Sequence, residues 1–173
     1  MKIDSQPWAA AERPVRGTAA RALSDKRVST TKTVCISSED GAIELERADF
    51  GAPGTPSDDD ILLNVSVRVR GYAAHDQAWI VGSDWAEFLK QMGEVDRTRR
   101  GRARLQAASP DDLELEVYPT DLIGHFAVRG HVGRRYTEAH RLRLEFDFPF
   151  EPDRLPYIVE DLRNFADRRS THS

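Results

Sequence analysis

The chain has 173 residues and a formal net charge of −4, with 31% charged and 39% apolar residues and a mean hydropathy of −0.57. That is the size of about one domain with a tail, long enough to bury a core, and no apolar run approaches the ~18 residues of a membrane span or the apolar stretch of a secretory signal. One cysteine, Cys35, excludes an intramolecular disulfide framework, and the expected location is cytoplasmic.

The charge is unevenly spread. Residues 1–32 carry seven Lys and Arg (Lys2, Arg13, Arg16, Arg21, Lys26, Arg27, Lys32) against three acids (Asp4, Glu12, Asp25), a net of +4. Taking that from −4 leaves −8 for residues 33–173. An acidic folded part repels nucleic acid on average and favours basic partners. The basic stretch sustains no apolar stripe, so residues 1–32 are expected to be a disordered leader, 33–169 one α+β domain and 170–173 a flexible tail.

Order is expected from Thr33. Val34 to Ser38 reads as a strand that buries Cys35, Asp40-Gly41 as a tight hairpin turn, and Ala42 to Phe50 as the returning strand. Gly51 to Asp60 is a loop by its Pro53, Gly54 and Pro56. Its Asp58-Asp59-Asp60 lacks the alternate spacing, turn glycine and distal Glu of a calcium loop, so no metal is expected there. Ile61 to Ala73 alternates Leu63, Val65, Val67 and Val69 with Asn64, Ser66, Arg68 and Arg70, which is a strand with one wet face. The chain should turn between Gly71 and Asp76 and return from Gln77 to Val81.

Asp84 followed by Glu87 has the spacing of a capping box, and Trp85, Phe88, Leu89, Met92 and Val95 recur at helical intervals. A core helix is expected. Five arginines follow, at 97, 99, 100, 102 and 104. They suggest phosphate contacts, but no aromatic residue is interleaved for stacking and the surrounding charge is negative, so nucleic acid is disfavoured as a partner. After a weak strand at Leu105 to Ala107, Leu113 to Phe148 contains three successive strands with apolar residues on alternate positions. Leu155, Ile158, Val159, Leu162 and Phe165 mark a last helix, with Pro156 confined to its first turn. These elements predict an α+β fold, a mainly antiparallel β-sheet with two helices on its apolar face and no internal sequence repeat.

The residues carry no catalytic signature. There is no glycine-rich phosphate loop, HExxH pair or nucleophile elbow. His75, Asp76 and Ser83 have the letters of a triad, yet they fall around one hairpin without convergence. His125 and His131 are ~20 Å apart at strand rise, too far for one metal ion. Neither a cofactor nor an enzymatic activity is expected. The acids at Asp58, Asp59, Asp60, Asp111, Asp112, Glu114 and Glu116 exceed what loops and a solvent-facing strand need, which marks them as candidate contacts for a basic partner.

Several short motifs carry a resemblance: Asp84-Trp85-Ala86-Glu87-Phe88-Leu89, Asp112-Leu113-Glu114-Leu115, Gly124-His125-Phe126-Ala127-Val128, and the helix from Leu155 to Phe165. From Val34 to Phe165 the arrangement resembles a family of uncharacterised actinobacterial proteins. That family is similar in organisation to the immunity proteins of polymorphic toxin systems, including the partner of the wall-associated toxin. The resemblance implies a non-enzymatic protein that binds and neutralises a cognate toxin. Two other classes stay open on the residues: a small-molecule-binding or housekeeping domain, and a regulator that touches nucleic acid through Arg97 to Arg104.

Overall fold

The computed structural model describes residues 33–121, 123–137 and 140–165. The leader expected at 1–32 and the tail expected at 170–173 lie outside the described residues. Strands β1 (Thr33–Ser37), β2 (Gly41–Phe50), β3 (Ile61–Val69) and β4 (Tyr72–Ile80) form one antiparallel sheet in sequence order, followed by helix α1 (Gly82–Thr98). Strands β5 (Ala103–Gln106), β6 (Leu113–Pro119), β7 (Phe126–Thr137) and β8 (His140–Phe150) form a second, followed by a 3₁₀ turn at Pro152–Arg154 and helix α2 (Leu155–Phe165). The α+β antiparallel architecture is the expected one. The strands divide into two sheets, however, and the order of four strands then a helix occurs twice, a repeat that no sequence similarity announces.

Alternation explains both sheets. Val34, Ile36, Ile43, Leu45, Ile61, Leu63, Val65 and Val67 are buried on the inner face of the first, and Leu45 stands opposite both Val34 and Val65 in the ladders. Leu113, Leu115, Val117, Phe126, Val128, Val132, Phe146 and Phe148 do the same in the second. One continuous cluster joins these to Trp85, Phe88, Met92 and Val95 of α1 and to Leu155, Ile158, Val159, Leu162 and Phe165 of α2. The helices pack on each other, α1 against β5 and α2 against β1, while β4 meets β7. Each half therefore lends its helix to a shared core. At the seam Gly41 lies so close to Phe148 that an added Cβ would sit 2.7 Å from the ring's Cδ1. Only a residue without a side chain allows the two sheets to meet there.

Two local expectations are corrected. The β3–β4 turn is the pair Arg70-Gly71, both at positive φ (47° and 87°), with Val69 paired to Tyr72. Two consecutive left-handed residues match the twist of flanking strands, so β4 starts at Tyr72, five residues earlier than expected. Helix α1 starts at Gly82, and Val81 at its N-cap makes no side-chain capping bond. Asp84 is in the first turn, and Glu87 pairs with Lys90 and Gln91 instead of closing a capping box. The acceptor comes from far away in sequence: Asp60 Oδ1 takes the Gly82 N–H at 3.0 Å. A carboxylate delivered to the positive end of the helix serves as well as a local cap.

Cys35 is half-buried on the outer face of the first sheet, so its strand placement holds and its full burial does not. His75 and Asp76 point to opposite faces of β4. His75 Nδ1 bonds Ser66 Oγ at 2.9 Å, and Asp76 takes Arg134 of the other sheet at 2.6 Å. The three triad letters diverge.

Candidate functional site

Two faces and one cleft hold the polar residues of interest. Among the candidate acids, Asp58, Asp59 and Asp60 end the loop between β2 and β3. Asp58 Oδ2 accepts from Gly54 N at 3.1 Å, and Gly51 N donates to the Asp60 carbonyl at 2.8 Å, which pins the loop at its base. With Asp60 committed to α1, Asp59 is the exposed member of the three. Asp111 and Asp112 lie in the turn before β6, closed by Asp112 N to the Ser109 carbonyl at 2.9 Å. Burial pushes the Asp112 carboxyl above its ordinary range, and Asp76 adds to that while Arg134 opposes it. Hydrogen bonds link the two turns through the end of β4, because Ala108 N donates to the Trp79 carbonyl at 2.8 Å and Gly82 follows two residues beyond Ile80. The structure thus connects these five aspartates at one end of the first sheet.

Glu114 and Glu116 belong elsewhere, on the outer face of the second sheet, and their expected solvent-facing role is corrected for Glu116. It is only 8% exposed. Arg129 Nη2 reaches it at 2.9 Å and Arg102 Nη1 at 3.2 Å, while Arg104 Nη2 takes Glu114 at 3.1 Å. The Arg129 guanidinium also stacks 4.7 Å from the centre of the Tyr118 ring, whose hydroxyl donates to Asp147 at 3.0 Å. Burial, and then the bond to Asp147, raises the Tyr118 pKa. This face is a ladder of alternating charges.

The same ladder absorbs the arginine cluster. Arg97 pairs with Glu94 at 2.6 Å and Arg99 with Asp96 at 3.7 Å, and Arg102 and Arg104 are held by the glutamates of β6. Arg100 alone of the five has no ion-pair partner among the described residues, its backbone being bonded to Thr98 Oγ1. Four answered guanidiniums present little net positive field to a phosphate backbone.

Sequence reasoning missed the cleft. It has a volume of about 730 Å³ and lies between the β1–β2 turn (Ser38, Glu39, Asp40), the β6–β7 loop (Thr120, His125) and the exit of β8 (Pro149, Phe150, Glu151, Pro152). Asp121 organises its loop wall. One carboxylate oxygen accepts from the backbone N–H groups of Ile123, Gly124 and His125, and the other takes His125 Nδ1 at 2.5 Å. The His125 side chain and these backbone donors hold the Asp121 pKa down at about 2, and Asp121 in return raises that of His125. An Asp four residues before a His was visible in the sequence, but the walls come from three distant turns.

The pair predicts a pH window for the loop. A raised histidine pKa contributes order that is complete below its ordinary 6.5 and lost as pH climbs through the folded value. A lowered aspartate pKa contributes order complete above 3.8 and lost as pH falls toward about 2. Amide exchange at Ile123, Gly124 and His125 should be slowest between those limits and speed up on either side. A histidine titrating below 6.5, or exchange indifferent to pH beyond the intrinsic chemical rate, would contradict the pairing.

These features define an α+β protein of two salt-bridged open sheets around a shared core, with no assembled catalytic constellation among the described residues. The chain belongs to the WapI-like immunity protein family, whose sequence model matches residues 34–168. No curated protein matches it. A solved structure titled "Crystal structures of trypanosoma bruciei MRP1/MRP2" is similar at 11% identity over 84% of this chain and 90% of that one, with a TM-score of 0.48. At that score and identity the likeness carries no functional weight. No helix among the described residues is long and apolar enough to cross a membrane.

Proposed function

We propose that this protein neutralises a cognate toxin of the wall-associated kind by binding it in the cytoplasm and covering its active surface, without catalysis of its own. The family match over residues 34–168 carries the reading. Charge supports a basic partner: residues 33–173 hold −8, and Asp58, Asp59, Asp60, Asp111 and Asp112 sit on two hydrogen-bonded turns. Glu114 and Glu116 contribute less, because arginines already answer them.

Acidic rims mainly accelerate encounter, and salt screens that effect over ~10 Å at 0.1 M. Asp60 caps α1, so its replacement would disturb the fold; Asp59 avoids that defect. The test is to recover the protein with its partner from the native host, identify the partner, and ask whether co-expression suppresses its toxicity. Asp59→Lys with Asp111→Lys should then slow association several-fold, and the wild-type on-rate should fall as salt rises. An acidic partner, or one that harms no cell, would overturn the reading.

A further inference from the structure

The two halves of the fold meet at two junctions, and these are not alike. In each half the turn between its first two strands abuts the end of the other half's fourth strand. The turn after β5 is closed onto β4 by the Ala108 N–H to Trp79 carbonyl bond. The matching turn after β1 leaves the cleft of about 730 Å³ against the end of β8. Next to it in the chain the seam is tight, with Gly41 against Phe148.

We infer that this cleft receives an arginine or lysine side chain from the protein partner, with the stem against Pro149 and Pro152 and the cationic head between Glu39 and Glu151. The inference rests on the proposed binding function and assigns it an anchoring site. Apolar walls suit the methylene stem, and carboxylates suit the head. Glu39 and Glu151 are exposed and have no ion-pair partner among the described residues, whereas Asp40 is already met by Arg70 at 3.4 Å. Asp121 is spent on His125, whose pKa it raises, and Glu151 adds to that shift from across the cleft. Phe126 and Phe150 are buried beneath that surface, and the chain's own Arg99 covers the Phe126 ring at 5.6 Å while bonded to the Pro152 carbonyl, so the incoming cation meets the prolines and the carboxylates. Basic residues seated in desolvated pockets are the usual anchors of protein interfaces, and they act on dissociation.

The probe is blocked arginine, with blocked glutamine as its uncharged control, titrated into the full chain and followed by NMR. Blocked arginine should give saturable shifts at His125, at Ser38 to Asp40 and at Glu151, and blocked glutamine none. Glu39→Gln with Glu151→Gln should weaken the effect about tenfold, the order expected for losing a charged hydrogen-bond partner, at unchanged melting temperature. Glu39→Gln alone, in an exposed turn, gives a smaller loss in the same direction if the double variant is poorly folded. With the toxin in hand, the double variant should release it about tenfold faster. Absence of saturable shifts, or equal shifts in wild type and variants, overturns the cleft even where the protein still suppresses the toxin. Saturable arginine binding without any toxin in the host removes the immunity reading and leaves the cationic site standing.

Discussion

Replacing Trp85 by alanine should cost about 3–5 kcal/mol of folding stability, the range for removing a large aromatic from a packed core. Trp85 is 3% exposed and lies 5.4 Å from Phe165 of α2 and 6.0 Å from Phe88, centre to centre. It therefore joins the two helices where they pack on each other, and its loss opens a cavity that neither sheet can fill. The indole brings area and no hydrogen bond: its Nε1 has no partner among the described residues. Trp85→Phe should accordingly be much milder than Trp85→Ala, because it removes an unsatisfied donor along with one ring. Urea denaturation of the three proteins measures both differences. Equal losses for Phe and Ala would mean that the indole nitrogen is engaged after all.

Arg47 should be the second most sensitive position. It stands on the inner face of β2 among aliphatic residues, opposite Leu63, at 9% exposure. A buried charge survives only with partners. Its Nη1 donates to the Phe165 carbonyl at 2.6 Å and its guanidinium lies 4.6 Å from the centre of the Phe50 ring. The bond places a cation at the C-terminal turn of α2, where the helix dipole favours one. Arg47→Met keeps the stem and removes the head, leaving that carbonyl without its donor, at a cost of about 1.5–3 kcal/mol. Exchange of the last α2 amides should quicken along with the global loss. A neutral Arg47→Met with unchanged exchange would show that water replaces the guanidinium freely.

Glu116→Gln offers a contrast with these two. The carboxylate is buried but both its arginines reach solvent, at 67% and 45% side-chain exposure. Such pairs are screened and their net worth is small. The charge ladder on the second sheet is therefore a surface that is hard to desolvate, not a source of stability.

What the sequence determined by itself is local. Alternation at period two placed Leu113–Pro119, Phe126–Thr137 and His140–Phe150 as strands to within a few residues, and helical spacing placed the apolar faces of α1 and α2. These follow from backbone geometry, which ties a side chain's direction to its position along the element. Whatever joins distant residues was not legible. Periodicity says that a strand has a buried face but not which strands share a sheet, so eight strands were read as one surface instead of two. Nothing near Gly82 announces that Asp60 caps it, and nothing near Glu116 announces that Arg102 reaches it across the β5–β6 pair. The cleft is the extreme case, since Glu39, His125 and Glu151 belong to three turns that only the meeting of the two halves brings together. Tertiary structure decided these because each depends on a pair of partners whose separation along the chain carries no periodic signal.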